Sequence, residues 1–377
     1  MTGIKNIRVE DYIFDCGGRS STVQRVFEKQ LVANAILGFK WTRHIPMGSE
    51  GNEQSRQGHQ EDISALDIDD GDEMLIFGSH GGAISITKYK YLSRNKWKDP
   101  IRLNLKAMAL KTLRWCPLDL RLFMVSTVGG WMRVCDTTMG KEIHGKKFEG
   151  EVYFDWNEYN TINSRVAVAD GSQSMKLIDF RIGMNLPQVF RWDDKPVDVV
   201  QWYPSKQHYL YAGRRDGYIG VFDNRSTRGV LAKKKVHKKQ IYGLRLSADG
   251  QRIISMNSEM SIHVADAWDF STKGFVQGRN MGFDRSRPDL RVMNTPDLYV
   301  AENSNQPTVY RFVDGRKDPD SHFLAPVALR NQPFVFRKSS YELITGHEYN
   351  YLNVLSLDRA PSSLEDEHAY AATPSEI

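Results

Sequence analysis

Residues 197–223 of this 377-residue chain read VDVVQWYPSKQHYLYAGRRDGYIGVFD. Three short apolar runs follow one another here, and the pair Asp216-Gly217 separates the last two, as a hairpin turn would. Similar blocks stand before and after this one, each opened by an aromatic or aliphatic anchor, at spacings of 47, 41, 46 and 44 residues. The five anchors are Ile68, Trp115, Trp156, Trp202 and Leu246.

A period of about 40–45 residues, built from short strands and Gly turns, is typical of the blades of a β-propeller. Two fainter blocks, at 297–315 and 326–358, continue the same rhythm, and a closed ring needs all of its copies. The sequence therefore predicts an all-β protein, a seven-bladed β-propeller. The third run ends in an aspartate in four blocks: Asp136, Asp179, Asp223 and Asp266.

One segment before the repeat has a different pattern. Residues 20–38 carry apolar side chains at helical spacing, with Ser21 and Gln24 as a capping box and Gly38 as a stop signal. This segment is therefore predicted to be an amphipathic helix. The predicted organisation is an N-terminal extension with this helix (1–50), a propeller (51–360) and a disordered acidic tail (361–377).

Composition indicates an intracellular soluble protein. Hydrophobic residues make up 40% of the chain, enough for a packed core, and the net charge is +5. The three cysteines form no CxxC pair and no Cys/His metal pattern, which favours a reducing compartment. No apolar run reaches the length of about 18 residues that a membrane span needs. The run KKKVHKK (233–239) is expected to be a solvated loop, with a phosphate-attracting patch as the alternative.

The sequence contains no motif that points to catalysis. We find no GxSxG, no GxxxxGK[ST] and no GxGxxG at the start of a helix. His347-Glu348 begins like a zinc-protease helix, but a second histidine is missing because position 351 is Tyr351. His237 stands four residues before Ile241, where an imidazole can bond a turn aspartate and support a blade. We therefore expect no enzyme activity and no cofactor or metal.

Two tripeptides at the ends of third strands are candidates for partner binding. They are Asp179-Phe180-Arg181 and Asp223-Asn224-Arg225. A guanidinium at the blade rim can pair with carboxylates and carbonyls of another protein. The alternative is a salt bridge within the blade, which is worth little on a surface. Residue types alone leave both interpretations open.

With these residues in place, the chain resembles the Cockayne syndrome group A protein family of WD-repeat proteins. The stretches that carry the resemblance are ISALDID with GSHGGAISI, VQWYP, and LSADGQRIISMNSEMSIHV. Block order, the insertion at 90–108 and the acidic tail agree, so the resemblance covers about residues 20–370. It implies a nuclear, non-catalytic substrate receptor of a cullin-4 RING ubiquitin ligase that acts in transcription-coupled nucleotide-excision repair.

The resemblance also implies partners and contact residues. The first partner is the damaged-DNA-binding propeller adaptor of the ligase. The implied substrates are the Cockayne syndrome B-type ATPase and factors of stalled RNA polymerase II, and direct DNA contact stays open. The implied adaptor-binding residues are Asp216, Asp223, Arg225, Asp179, Arg181, Val26, Phe27 and Leu31. The last three lie in the helix at 20–38, and Phe222 stands where the family has Trp.

Two rival functions remain. The first is a generic WD-repeat scaffold in a nuclear RNA-processing or chromatin complex, which shares the fold and needs no ligase adaptor. The second is a propeller enzyme, which requires acidic residues that converge in the central channel. The sequence does not name the substrate or the residues that face it.

Overall fold

The computed structural model describes most of the repeat region. The described residues are 39–46, 62–89, 101–105, 109–157, 165–182, 184, 188–204, 206–226, 229–278, 290–293, 298–302, 308–313, 319–323, 333–337, 342–347 and 351–357. The predicted helix at 20–38, with Val26, Phe27 and Leu31, lies outside them. The predicted tail at 361–377 lies outside them as well.

The described strands form seven four-stranded antiparallel sheets. The first strand of the described residues is β1 (Phe39–Pro46), which belongs to the last sheet. The first sheet contains β2 (Ile63–Ile68), β3 (Met74–Ser79), β4 (Ala83–Lys88) and β5 (Ile101–Asn104). The second contains β6 (Leu110–Trp115), β7 (Leu122–Thr127), β8 (Trp131–Asp136) and β9 (Lys141–Lys147). The third contains β10 (Tyr153–Trp156), β11 (Arg165–Ala169), β12 (Ser174–Asp179) and β13 (Gln188–Arg191), with a 3-10 turn at Phe180–Ile182.

The remaining sheets repeat this plan. The fourth contains β14 (Val197–Trp202), β15 (Tyr209–Arg214), β16 (Tyr218–Asp223) and β17 (Val230–Lys235). The fifth contains β18 (Ile241–Leu246), β19 (Arg252–Asn257), β20 (Ile262–Asp266) and β21 (Thr272–Val276). The sixth contains β22 (Leu290–Met293), β23 (Leu298–Glu302), β24 (Thr308–Phe312) and β25 (Asp320–Phe323). The last contains β26 (Phe334–Arg337), β27 (Glu342–His347), β28 (Tyr351–Leu357) and β1.

The fourth sheet shows why these residues form a blade. The apolar strands β14 to β16 are almost entirely buried, whereas β17 is exposed along most of its length. The turn between β15 and β16 requires Gly217, whose φ is +87° and whose Cβ position lies 2.0 Å from the carbonyl oxygen of His237. Any side chain at this position would therefore displace the loop that leads to the next sheet.

The sheets are arranged as a closed ring. The first strand of one sheet lies beside the first strand of the next, as β14 does beside β18, and β26 lies beside β2 at the closure. Apolar side chains fill the space between neighbouring sheets; Trp192, for example, packs edge-on against Phe222 at 5.3 Å. The all-β propeller predicted from the repeat is confirmed.

Strand β1 completes the last sheet. It pairs antiparallel with β28, from Phe39 opposite Leu357 to Pro46 opposite Tyr351. The sequence placed all of residues 1–50 outside the propeller, but this pairing assigns 39–46 to the ring. The partner strand lies some 300 residues away, so no local pattern could indicate it.

Two further expectations change in the structure. His237 is a buried residue that supports the blade, and its Nε2 lies 2.8 Å from Ser255 Oγ. Among the described residues it bonds no turn aspartate, so the expected partner was wrong. The first part of the lysine run 233–239 belongs to strand β17, not to a loop. Among the described residues, no helix is long and apolar enough to cross a membrane.

Candidate interaction surface

The alternation of antiparallel strands assigns every turn to one of two faces. Turns after the first and third strands of each sheet lie together, and we call this side the bottom face. Turns after the second strand and the connections between sheets lie on the opposite side, the top face. This division places Asp179, Arg181, Asp223 and Arg225 on the bottom face, and Asp216 on the top face.

Asp223 and Arg225 form a closed pair at the end of β16. The backbone N–H of Arg225 donates to Asp223 Oδ1 at 2.9 Å, and its guanidinium donates through Nε at 3.0 Å and Nη2 at 2.7 Å. The guanidinium hydrogen bonds lower the pKa of the Asp223 carboxyl. The side chain of Arg225 is nevertheless 58% exposed. The salt bridge within the blade is therefore present, and the guanidinium still faces solvent.

Asp179 and Arg181 repeat this geometry one sheet earlier. The Arg181 guanidinium donates to Asp179 through Nε at 3.2 Å and Nη2 at 3.1 Å. Burial alone would raise the pKa of Asp179, but the hydrogen bonds from Arg181 outweigh it and lower the pKa. The residue between them, Phe180, is buried against Trp156 at 5.3 Å, which anchors the turn.

A third pair, Asp119 and Arg121, escaped the sequence analysis. Its distances match the other two, with Nε at 3.0 Å and Nη2 at 2.8 Å from the carboxylate. It lies in the turn between β6 and β7, on the bottom face. The Asp-x-Arg spacing is visible in the sequence, but this pair follows a first strand, whereas the two predicted pairs follow third strands.

Asp216 does not join these residues. It lies in the turn between β15 and β16, at the other end of the sheet from Asp223. Its carboxylate accepts hydrogen bonds from the guanidinium of Arg214, which outweigh burial and lower its pKa. One bottom-face contact surface cannot contain both Asp216 and Asp223 unless the partner reaches around the sheet.

The turn at the end of the third strand displays the residue two positions after its aspartate. In four consecutive sheets the backbone N–H of that residue donates to the aspartate Oδ1, at 2.7, 3.0, 2.9 and 2.8 Å. The same turn conformation therefore presents one side chain from each of these four sheets on the bottom face. We call them the display residues: Thr138, Arg181, Arg225 and Trp268.

Trp268 is the apolar member of this set. It is 41% exposed and packs edge-on against Tyr209 at 5.1 Å, while Lys206 Nζ lies 4.7 Å from its ring centroid. Asp223 and, to a lesser extent, the nearby Tyr209 raise the pKa of the Arg225 guanidinium. An exposed indole, a lysine and an arginine are thus continuous across the fourth and fifth sheets. Trp268 follows Asp266 at the spacing at which Arg225 follows Asp223. The sequence prediction missed it because only arginines were expected to bind a partner at this position.

Comparisons with known proteins support the fold. No protein-family model matches the sequence, and no curated protein matches it significantly. Among solved structures, the β-propeller domain of Cps50 (Swd1) from Myceliophteria thermophila is similar, with a TM-score of 0.67 and 16% sequence identity. The match covers 85% of this chain and 100% of that domain. The chain therefore has the fold of a WD-type β-propeller.

Proposed function

We propose that this protein is a non-catalytic interaction scaffold that holds a partner on the bottom face of its propeller. The display residues carry this proposal, because one repeated turn offers an exposed side chain in each of four neighbouring sheets, namely one threonine, two arginines and one tryptophan. Tryptophan and arginine are the side chains most enriched among residues that dominate protein–protein binding energy. A scaffold binds its partners through exposed side chains of this kind, held on a rigid fold, and it needs no reactive group.

The finer form of the proposal is a substrate receptor of a cullin-4 RING ubiquitin ligase. In this form the damaged-DNA-binding propeller adaptor docks on Arg181 and Arg225, and a helix at 20–38 inserts into the adaptor. The complex would be nuclear, and another surface of this protein would hold the substrate, such as the Cockayne syndrome B-type ATPase or a factor of stalled RNA polymerase II. The support is the resemblance of the short sequence stretches and the exposure of both guanidiniums.

The alternative is a generic scaffold in a nuclear RNA-processing or chromatin complex. It uses the same fold and can use the same display residues. The two forms differ in one respect only: the scaffold has no affinity for the ligase adaptor.

Binding of the purified full chain to the purified adaptor distinguishes them. We expect Arg225→Ala to raise the dissociation constant several-fold, because the partner loses the hydrogen bonds of a planar, already ordered guanidinium. The matched control is Lys238→Ala, which removes an exposed cation from the top face and should leave the constant unchanged. Biolayer interferometry at fixed ionic strength measures both.

Each result has a definite meaning. Equal dissociation constants for Arg225→Ala and wild type would assign Arg225 to the salt bridge with Asp223 alone. No binding of the adaptor by the wild-type chain would refute the ligase form and leave the generic scaffold. The Arg225 guanidinium is exposed, and Asp223 keeps its hydrogen bond from the backbone N–H of residue 225, so the variant should remain folded.

A further inference from the structure

A cavity of about 580 Å³ opens at the bottom face, between the first strands of the sheets. Six of these strands contribute one polar residue to its wall. These residues are Asp67, Arg114, Asp155, Gln201, Arg245 and Arg291. The cavity lies inside the ring and does not include the display residues, so it is a separate feature of the bottom face.

Hydrogen bonds within the protein fix most of these groups. Asp67 uses both carboxylate oxygens, since Oδ1 accepts from Arg114 Nη1 at 3.0 Å and Oδ2 from the backbone N–H of Trp115 at 2.9 Å. Arg245 donates to the carbonyl oxygen of Leu244 at 2.9 Å, and Arg291 to that of Leu66 at 3.4 Å. The guanidiniums of the wall are therefore bonded to acceptors of the protein itself.

Asp155 differs from Asp67. Its Oδ2 accepts two hydrogen bonds, from Gln201 Nε2 at 3.0 Å and from the backbone N–H of Trp202 at 2.7 Å. Its Oδ1 accepts none from any described side chain, although Asp155 is partly accessible and lines the cavity. Desolvation raises the pKa of this carboxyl and outweighs both the hydrogen bond from the Trp202 backbone and the attraction of Arg245 and Arg114.

The charge of the whole wall favours a cationic ligand. The lining residues include six carboxylates, three of them at Asp69, Asp70 and Glu73 near the mouth, and three guanidiniums. The carboxylates thus outnumber the cations two to one in the described lining. This excess of negative charge would repel an anion, whereas it would attract a cation into the cavity.

The apolar part of the wall suits a long aliphatic side chain. Trp115, Trp156, Leu246, Val292 and Phe336 line the same space. Lysine and arginine bury their methylene stems on such surfaces while their charged ends reach a polar group.

We propose that this cavity receives one arginine or lysine side chain from a basic segment of a partner protein, with the charged end on Asp155 Oδ1. The stem lies against the apolar wall, and the flanking residues of the segment rest on the acidic mouth. This site does not depend on the display residues, so it can exist in either form of the proposed function.

Three labelled peptides test the proposal with the wild-type full chain. Each has the same neutral flanking residues, and the central residue is arginine, citrulline or glutamate. Citrulline keeps the shape of arginine but lacks its charge. Fluorescence anisotropy should show the arginine peptide binding at least tenfold more tightly than the citrulline peptide, and no binding of the glutamate peptide.

Two variants locate the site. Asp155→Asn retains a carbonyl oxygen for Gln201 and Trp202 but loses the charge, and it should abolish the preference for arginine over citrulline. Asp249→Asn makes the same change in a bottom-face turn outside the cavity lining and should leave the preference unchanged. Thermal unfolding of each variant checks that it is folded.

Several results would overturn the proposal. They are equal binding of the arginine and citrulline peptides, tighter binding of the glutamate peptide, or an equal effect of Asp155→Asn and Asp249→Asn on the preference for arginine over citrulline. The comparison of peptides on the wild-type chain requires no substitution, so it decides the outcome even if Asp155→Asn does not fold.

Discussion

At the scale of single residues, Arg225 illustrates how one position serves both the fold and a surface. Its backbone N–H and guanidinium close the turn on Asp223, yet more than half of its side chain remains exposed. The sequence left a choice between a salt bridge and a partner contact. The structure contains the salt bridge, and because the guanidinium end of the pair is exposed to solvent, the pair orders the guanidinium more than it stabilises the fold.

Two buried histidines give the fold a pH dependence. His237 and His263 pack edge-on at 6.0 Å, bonded to Ser255 Oγ and Thr272 Oγ1, respectively. Burial lowers the pKa of each to about 4; His263 further lowers that of His237, and Lys234 that of His263. Both imidazoles are therefore neutral in the folded protein at pH 7.

We expect the protein to lose stability as the pH falls from about 6.5 to about 4. The histidine pKa is lower in the folded state than in the unfolded state, so the unfolded state binds more protons in this window. Each imidazole can contribute roughly 3 kcal/mol to this loss. His263→Phe should remove a substantial part of it, measured by urea unfolding at pH 7 and at pH 4.5.

The control for this experiment is His144→Gln, at an exposed position of β9. His144→Gln should leave the difference in unfolding free energy between pH 7 and pH 4.5 unchanged. If His263→Phe loses as much stability between pH 7 and pH 4.5 as the wild type does, then carboxylates, and not the buried imidazoles, govern acid unfolding.

At the scale of elements, the first strand is the least expected part of the ring. Strand β1 is separated from its partner β28 by almost the whole chain, and it supplies the outer strand of the last sheet. Without it, the backbone groups of β28 would form an open sheet edge, which promotes association between molecules.

Two truncations isolate the contribution of β1. Removal of residues 1–38 keeps the strand, and removal of residues 1–46 deletes it. We expect the longer truncation to be less stable than the shorter by at least about 2 kcal/mol, since several inter-strand hydrogen bonds are lost at about 1 kcal/mol each. Urea unfolding measures the difference, and equal midpoints would show that the ring does not need β1.

The fourth strands explain where the sequence prediction stopped. The pattern of each block predicted three strands, because β14 to β16 are apolar and bounded by turn residues. The outer strand β17 has the sequence VLAKKK, with five of its six residues exposed. Lysines on an outer strand protect its edge from pairing with another strand. They also remove the alternation of apolar and polar residues by which a strand is recognised in a sequence, so the lysine run was predicted to be a loop.

At the scale of the whole molecule, the ring couples the sheets to one another. Each sheet packs on its neighbours, and β26 lies beside β2 where the two ends of the repeat meet. We therefore expect one cooperative unfolding transition, with the same midpoint by tryptophan fluorescence and by circular dichroism. Two separated midpoints would mean that part of the ring unfolds independently.

The amino-acid sequence by itself determined the repeat, the anchors, the hairpin turns and hence the propeller, because these depend on residues close to one another in the chain. It also marked the aspartates whose turns present Arg181 and Arg225. Only the tertiary structure decided that Asp216 lies on the opposite face, that β1 belongs to the ring, and that Asp67 and Asp155 line one cavity. These features depend on contacts between residues tens to hundreds of positions apart, which no local pattern encodes.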